Sequence, residues 1–289
     1  MIIIKLQGGL GNQLFLYGLY KNLIRCGRDV KMDIESGFEG DELRTPCLSY
    51  LGLEYVIATE EEVTEIRDSY MDPISRIRRK LFGRKTFDYY EPEDGNFDPE
   101  VLEMKKAYLN GYFQSERYFG DADAVKELKD DIFKNRDRIL ASSDKIEDYR
   151  KEIENCESVS LHIRRGDYLT PGIMETYGGI CTDEYYEKAI DTVRDKHPGA
   201  RLFVFSNDLE WCKGRYGSYE NVTFVGFDIE SEDEEADFYR DDAELFLMAA
   251  CKHQIITRSS FGWWGAWLNE NPNKITCSPE IRINTTHHF

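Results

Sequence analysis

The amino-terminal half of the chain begins with a short apolar run, a glycine-rich turn and a longer apolar pattern. The first six residues, MIIIKL, fit a buried strand. After the turn GGLGN, apolar residues that include Leu14, Tyr17 and Leu23 recur at helical spacing up to a glycine. DVKMDI then predicts a second strand. Strand, loop, helix and strand in this order indicate the start of an α/β domain.

The pattern then predicts a charged helix over 60–85, a strand at the start of AYLNGYFQSERYF and a helix over 122–139. The charged stretch DKIEDYRKEIENCE follows and precedes a new apolar run. We therefore predict a domain boundary there, with a first domain over 1–154 and a second over 155–289.

The second half alternates between strand and helix patterns. The predicted strands are SVSLHI, RLFVFS, NVTFVG and HQIITR, and helices are predicted over 183–197, 243–252 and 261–269. Ten acidic residues lie between 228 and 244, and we expect that segment to be an exposed loop. This order predicts a second α/β unit whose strands are mostly parallel.

Composition narrows the possible partners and the compartment. The formal charge of −18 over 289 residues argues against nucleic acid, because a surface that neutralises phosphates needs net basic charge. The seven cysteines form no CxxC pair, which favours reduced thiols. We find no signal peptide and no run of eighteen apolar residues. The expected location is the cytoplasm.

One local segment departs from the acidic average. The stretch SRIRRKLFGRK, residues 75–85, has six basic residues and no acidic one. It is either a solvated helix face or a patch that contacts anionic lipid headgroups. The second interpretation predicts peripheral contact with the cytoplasmic face of the inner membrane.

The glycine-rich turn does not match the known phosphate-binding motifs. Gly9 and Gly11 occupy the first two positions of GxGxxG, but Leu14 occupies the third, and no GK[ST] sequence follows. The turn is either a plain tight turn or a loop that lets a ligand approach the backbone, with the Asn12 amide at a helix start. The Asp121-Ala122-Asp123 triplet precedes a helix and predicts an N-cap, so we expect no metal.

The octapeptide LHIRRGDY, residues 161–168, places two arginines directly after an apolar strand. An adhesion role for its Arg-Gly-Asp triplet does not fit a position against a buried strand. At the carboxyl end of a strand, Arg164 and Arg165 can hold a diphosphate. Strand alternation places His162 on the same face as Arg164, where it is either structural or a ligand contact.

Two further strand ends carry polar residues. After RLFVFS, Asn207 or Asp208 can accept hydrogen bonds from a purine, or Asp208 can cap the helix LEWCK. In RSSFGWWGAWL, Ser259 and Ser260 stand at a helix start, where backbone N–H groups and hydroxyls form an anion site. The tryptophans there are expected to pack rather than to stack on a ligand.

Five blocks in order, GGLGNQLFLY, GYFQSERYF, LHIRRGDY, FSNDLEW and CKHQIITRSSFGWWGAWL, resemble the bacterial α-1,2-fucosyltransferases, glycosyltransferase family eleven. The resemblance implies an α/β fold of the GT-B type, in which two Rossmann-like domains face each other across a cleft. It also implies a GDP-fucose donor bound chiefly by the second domain, a galactoside acceptor in a cell-surface glycan, and inversion without a metal or other cofactor.

The resemblance assigns roles to individual residues. Arg164 would hold the β-phosphate, and Asn12 would reach donor or acceptor. The expected donor contacts are His162, Arg165, Asn207, Asp208, Ser259, Ser260 and Phe261, with Gly9 and Gly11 in the first domain. Asp33, after the second strand, is the candidate general base, and the departing phosphate is the alternative.

Two features depart from the family pattern and leave rival functions open. Arg258 replaces the usual Asn before the two serines, and the chain ends soon after CSPE. The rivals are a transferase of the same fold that uses another GDP-sugar or acceptor, and a binding protein without turnover.

Overall fold

The computed structural model describes residues 1–41, 43–165, 174, 179–227 and 240–280. It divides into two compact units, Met1–Lys134 and Asn135–Phe289. Each unit is built around its own parallel sheet. No helix within these described ranges combines the length and the apolar character needed to cross a membrane.

The first unit alternates strands and helices. Its strands are β1 (Ile2–Lys5), β2 (Val30–Asp33), β3 (Asp88–Tyr90) and β4 (Ala107–Asn110). Its helices are α1 (Leu10–Arg25), α2 (Glu35–Phe38), α3 (Glu60–Ile66), α4 (Pro73–Phe82), α5 (Glu100–Glu103) and α6 (Ala122–Phe133), with 3-10 turns at Leu48–Leu51 and Glu116–Phe119.

The first sheet has the strand order β2-β1-β4-β3, and all of its pairings are parallel. Ile2, Ile3 and Ile4 of the central strand β1 are fully buried. A strand with helices on both faces must be apolar on both, so an unbroken run of isoleucine fits this position. The predicted strands at MIIIKL, DVKMDI and AYLN are confirmed, whereas β3 was not predicted.

Two helix boundaries in the first unit differ from the predicted ones. The first helix begins at Leu10 and includes Gly11, which was predicted to lie in the loop. The helix predicted over 60–85 is two helices, α3 and α4. Asp68 between them has a φ of 49°, which is outside the helical region, and the Asp72 side chain accepts the N–H of Ser75 to cap α4.

The second unit has five parallel strands. These are β5 (Ser158–Ile163), β6 (Arg201–Ser206), β7 (Val222–Phe224), β8 (His253–Ile255) and β9 (Thr276–Cys277). Its described helices are α7 (Arg136–Leu140), α8 (Asp144–Glu154), α9 (Asp183–Lys196), α10 (Leu209–Tyr216), α11 (Asp241–Ala250) and α12 (Ser260–Leu268).

The second sheet has the order β7-β6-β5-β8-β9, with β5 at its centre. Every residue of β5 is buried, and Val159, Leu161 and Ile163 join one core cluster with Ile190 and Val193 of α9. The four predicted strands of this half are confirmed. The two units are therefore α/β with parallel sheets, as the sequence predicts.

The division between the units falls after Lys134 rather than after residue 154. The charged stretch predicted to be a separator is the helix α8, which contacts α11 and buries Ile146 and Ile153. It therefore belongs to the core of the second unit. Part of the predicted acidic loop, 228–239, lies outside the described residues, but from Asp241 onwards the segment is helical.

Candidate functional site

The carboxyl edge of the second sheet collects most of the predicted site residues. Strand β5 lies between β6 and β8, so the chain segments that leave Ile163, Ser206 and Ile255 emerge side by side. In parallel α/β sheets this edge is where ligands bind. Gly166, Asp167 and Tyr168 of the RGD-containing segment lie outside the described residues.

His162 is buried beside the first turn of α12. Its ring centroid is 5.8 Å from that of Phe261, and a Cβ at Gly262 would come within 2.5 Å of its Nδ1. Burial, reinforced by the charge of Arg164, lowers the pKa of His162 to about 3. Within the described ranges, Nδ1 has no hydrogen-bond partner. A neutral imidazole has one donor and one acceptor nitrogen, and here Nδ1 is enclosed against the backbone of Gly262, so the ligand contact of His162 stays a prediction.

Arg164 stands at the end of β5 in electrostatic reach of two carboxyl groups at the start of α11. Burial raises the pKa of Asp241 to about 6, although the charge of Arg164 opposes the shift. Burial and the charge of Asp241 raise the pKa of Glu244 to about 8, again against Arg164. Near neutral pH, Asp241 therefore carries a charge while Glu244 keeps its proton.

The neighbouring Arg165 has structural partners. Its Nε contacts Asp208 Oδ2 at 3.4 Å, and its guanidinium lies 4.1 Å from the centroid of the Trp211 ring. Its backbone N–H donates to Asn207 Oδ1 at 3.0 Å. These contacts tie the end of β5 to the end of β6, so the two arginines that are adjacent in sequence have different surroundings.

Asp208 adopts the helix-cap role that the sequence left as one alternative. Its Oδ1 accepts the N–H of Trp211 at 3.2 Å and caps α10, while Oδ2 faces Arg165. Asn207 uses its side-chain oxygen on the Arg165 backbone. Both side chains lie at the predicted edge, and the purine contact stays a prediction.

The start of α12 is a helix N-terminus without acidic residues at the same edge. Ser259 is its N-cap, accepts the N–H of Phe261 at 3.3 Å, and no acidic residue stands in the first turn. Ser260 and Phe261 follow in that turn. The dipole of a helix end of this kind attracts anions. Trp264 is fully buried, as the packing interpretation predicts.

In the first unit, the glycine-rich turn surrounds the start of α1. Gly8 has a φ of 78°, and a Cβ on it would lie 2.6 Å from Asn12 Nδ2, so the fold requires glycine there. A Cβ on Gly9 would meet nothing within 4 Å. Gly9 is the N-cap of α1 and provides no side-chain cap, which leaves open space at this helix end.

Several amide side chains meet at the carboxyl edge of the first sheet. Asn12 Oδ1 accepts from Gln114 Nε2 at 2.7 Å, and Gln7 Nε2 donates to the Asn110 side chain at 3.3 Å and to Gly111 O at 3.1 Å. These contacts bring together GGLGN and GYFQS, blocks about a hundred residues apart in the chain. Amides both donate and accept, which suits sugar hydroxyls.

Asp33 also lies at this edge, but its carboxylate is fully occupied. Oδ1 accepts the N–H groups of Glu35 and Ser36, both at 3.1 Å, and Oδ2 accepts the Tyr108 hydroxyl at 2.7 Å. The side chain is buried. These contacts fix the turn into α2 and give Asp33 a structural role, and its role as general base stays a prediction.

The acidic triplet of the first unit caps a helix, as predicted. Asp121 accepts the N–H of Ala124 at 2.9 Å at the start of α6. Arg25 forms ion pairs with Asp121 and Asp123. Both carboxylates therefore have partners within the protein, in the helix cap and in the ion pairs.

Among the described residues, one other cluster has ligand types suited to a metal: Glu157, His197 and His253. His253 Nδ1 accepts the N–H of Ile275 at 3.0 Å, so Nε2 carries the proton and donates to Glu157 at 2.8 Å. A metal on Nε2 would have to displace that proton, and metal-bound histidines normally donate through the other nitrogen. The cluster fits a hydrogen-bond network at the opposite edge of the sheet.

Sequence reasoning missed Asp241 and Glu244, because their acidic neighbours made the whole segment look like a solvated loop. It also missed Gln7, Asn110 and Gln114. The signal for the amides was available, since each stands within one predicted block or just beyond a strand end. The burial of the two acids had no local signal.

Two α/β units with parallel sheets, and an arginine at a sheet edge that also holds a helix N-terminus, match what the sequence led us to expect of a nucleotide-sugar transferase. The comparison with family models agrees: the model of glycosyl transferase family 11 matches residues 88–280. The chain belongs to glycosyl transferase family 11.

Two relatives from Escherichia coli match nearly the whole chain. The O-antigen biosynthesis glycosyltransferase WbnK is 31% identical and aligns with 95% of this chain and 92% of its own length. An alpha-1,2-colitosyltransferase is 29% identical, with 96% and 91% covered. Among solved structures, the fucosyltransferase NodZ from Bradyrhizobium is similar at a TM-score of 0.49, with 14% identity and 92% of each chain covered.

Proposed function

We propose that this glycosyltransferase transfers L-fucose from GDP-β-L-fucose to the O2 hydroxyl of a galactoside. The observation that carries the proposal is the position of Arg164 at the end of the central strand β5, which pairs with strand β8 in the same sheet whose carboxyl edge holds the N-terminus of α12. Family membership and the five sequence blocks shared with α-1,2-fucosyltransferases support the choice of donor.

The reaction is a single displacement. The acceptor oxygen forms a bond to the anomeric carbon while the bond from that carbon to the β-phosphate oxygen breaks, and GDP leaves with the electron pair. The developing charge on the diphosphate is stabilised by the Arg164 guanidinium and by the dipole at the N-terminus of α12. One displacement of a β-linked donor gives an α-fucoside.

The acceptor proton needs a base. Asp241 is our candidate, because its pKa of about 6 leaves it charged at neutral pH and it stands in electrostatic reach of Arg164. Asp33 is a poorer candidate, since each of its oxygens already accepts hydrogen bonds. The Asp241→Asn variant should therefore lose the acidic limb of the pH–rate profile, in which activity rises as pH passes the pKa of Asp241.

The first unit is the proposed acceptor side. The amide cluster of Gln7, Asn12, Asn110 and Gln114 offers donors and acceptors on fixed strand ends. Sugar hydroxyls pair with such planar groups without any change of charge. This cluster and the proposed phosphate site lie in different units. Variants of the amide cluster should therefore raise the KM for the acceptor, and variants of the phosphate site should raise the KM for the donor.

Transfer of colitose is the second candidate. It is favoured by the likeness to a colitosyltransferase over 96% of the chain. Colitose is L-fucose without one ring hydroxyl, so the same diphosphate site would serve both donors.

The test measures GDP release with GDP-fucose, GDP-colitose and GDP-mannose, each with and without lactose. We expect release that depends on lactose and is fastest with GDP-fucose, and an α-linked fucose on O2 of galactose in the NMR spectrum of the product. Preference for GDP-colitose would replace the donor assignment. A β-linked product would overturn the single displacement, and GDP binding without release would leave the non-catalytic rival.

A further inference from the structure

Helix α4 is attached to its unit by polar side chains and carries its apolar side chains outwards. None of its ten residues is buried. Arg78 pairs with the Asp68 carboxylate, and Arg79 donates to the carbonyls of Asp68 and Tyr70. In a helix that packs on a core the arrangement is the opposite, with the apolar face inside.

The outward face is continuous. Ile74, Ile77 and Leu81 are spaced three and four residues apart, which places them on one side of the helix, and they are 80%, 60% and 68% exposed. Phe82 at the end of the helix and Met71 just before it are each 76% exposed. Single exposed apolar residues are ordinary, but a contiguous apolar face marks an interaction surface.

Basic residues surround this face. Arg76, Lys80 and Lys85 are exposed, and Arg84 donates from Nε to the carbonyl of Arg67 at 3.0 Å. The segment 75–85 contains six basic residues and no acidic one in a chain whose formal charge is −18. The basic surface is therefore local, and it lies on the same helix as the apolar face.

The helix is well formed without a partner. The Asp72 side chain caps it by accepting the N–H of Ser75 at 2.9 Å, and Pro73 occupies its first turn, where proline is favourable. The ion pairs to Asp68 fix its orientation. The apolar face is thus presented in the folded protein before anything binds it.

We propose that α4 is an interfacial helix that binds this protein to the surface of an anionic lipid bilayer. Ile74, Ile77, Leu81 and Phe82 enter the boundary between headgroups and acyl chains, and the long basic side chains reach the anionic headgroups. An apolar face with a basic rim is the pattern that such helices share.

A second copy of the chain is a poorer occupant of this surface. In a symmetric dimer the same patch would face itself, and two basic rims would repel each other. An anionic bilayer instead complements both the charge and the apolar face. The proposal does not depend on which sugar is transferred, so it can fail while the proposed function stands.

The experiment is co-sedimentation of the full-length protein with vesicles of phosphatidylcholine alone or mixed with phosphatidylglycerol. We expect binding to the mixed vesicles that weakens as salt is raised, and little binding to neutral ones. One double variant, Arg76→Glu with Lys80→Glu, removes basic charge. The other, Ile77→Ser with Leu81→Ser, removes apolar area. All four side chains are on the outward or solvent-facing parts of the helix.

Each variant should lower the partition coefficient by about tenfold or more, because each basic residue near such a surface is worth roughly a fivefold change in affinity. The matched controls are Lys126→Glu with Lys188→Glu for charge and Leu43→Ser for exposed apolar area. These residues are exposed and distant in sequence from α4. The controls should bind as the wild type does, and every variant should release GDP with lactose as the wild type does.

Equal sedimentation with neutral and anionic vesicles, or none with either, would overturn the proposal. The proposal would also be overturned if the Ile77→Ser, Leu81→Ser variant bound vesicles as tightly as the wild type does. That result would mean that the protein adsorbs by charge alone, without insertion of the apolar face. Sedimentation velocity in the absence of lipid decides the remaining alternative. Self-association that the serine variant abolishes, without vesicle binding, would assign the face to a second copy.

Discussion

Arg164 and Arg165 are neighbours in sequence, but they have different surroundings, and Arg164 is the one that we propose acts at the phosphate. Arg165 is committed to Asp208 and to the ring of Trp211. Arg164 stands beside His162, Asp241 and Glu244, whose pKa values are all shifted. Clusters of shifted groups at a strand end are typical of functional sites.

The first prediction separates the two arginines. Arg164→Lys keeps the charge but loses the planar guanidinium, which can donate two parallel N–H groups to a phosphate. We therefore expect kcat to fall by about 10² to 10³ while the fold is retained. Arg165→Lys is the control, and it should lower the melting temperature more than it lowers kcat. Steady-state kinetics and thermal denaturation measure both. An Arg164→Lys enzyme within about threefold of wild type would remove Arg164 from this role.

The second prediction concerns the cost of the raised pKa of Glu244, a partly buried acid. The folded pKa of Glu244 is raised to about 8, so the folded state holds a proton that the unfolded state has lost. Stability linked to this group is complete at low pH and is lost as pH rises towards that value. Glu244→Gln should therefore stabilise the protein by about 1 kcal/mol or more at about pH 8.5 and hardly at all at about pH 4.

Thermal denaturation of Glu244→Gln at both pH values makes the comparison. Asp191→Asn, an exposed acid on α9, is the control and should show no pH-dependent gain. An equal change at both pH values would mean that Glu244 is not shifted as described.

At the scale of elements, the close contact between α12 and β5 builds the edge where we propose that the phosphates bind. The backbone at Gly262 lies against the imidazole of His162 at the end of the strand. The cap at Ser259 directs the helix N-terminus towards the same edge. Glycine at 262 is therefore a packing requirement of this edge of the sheet.

The third prediction tests that contact. In Gly262→Ala the new Cβ would come within 2.5 Å of His162 Nδ1, so the helix or the ring must move. We expect GDP affinity by calorimetry to fall by about tenfold or more, with a loss of stability of about 1 to 3 kcal/mol. Gly214→Ala inside α10, where a Cβ meets nothing, should instead stabilise the protein slightly. Wild-type GDP binding by Gly262→Ala would contradict the arrangement.

The fourth prediction separates the two roles of Asp208. Asp208→Ala removes the cap of α10 and should cost about 1 kcal/mol of stability, whereas Asp208→Asn keeps a capping oxygen. If Asp208 also contacts the base of the nucleotide, both variants should raise the donor KM more than they lower kcat. Wild-type GDP affinity in Asp208→Asn would leave the cap as its sole role.

At the scale of the whole molecule, the acidic chain has local basic surfaces to which we assign two proposed tasks. One is the edge at Arg164, and the other is the rim of α4. Local concentrations of positive charge attract anions even when the net charge is strongly negative. Neither surface could be inferred from the overall charge.

The fifth prediction concerns metal dependence. The Asp121 and Asp123 carboxylates are used in a helix cap and in ion pairs, and the proposed charge stabilisation comes from Arg164 and a helix end. Turnover should therefore survive an excess of EDTA. Loss of activity on chelation that manganese restores would contradict the proposed donor site.

Sequence pattern alone predicted the two α/β units, their central strands and the edge that carries His162, Arg164 and Ser259. It succeeded because buried parallel strands are apolar runs and because site residues follow such runs directly. It failed where the chain turned without a strong local signal, as between α3 and α4, and where a charged helix, α8, joined a core.

What the sequence by itself determined is therefore local: which segments form strands and helices, and which polar residues stand at their ends. The tertiary structure decided which of those residues are already used. Asp33 and Arg165 acquired partners from distant segments. Burial raised the pKa values of Asp241 and Glu244, which lie near Arg164. The orientation of α4 was decided by Asp68, which holds the arginines inwards. Burial and pairing arise from residues far apart in the chain, so no local pattern contains them.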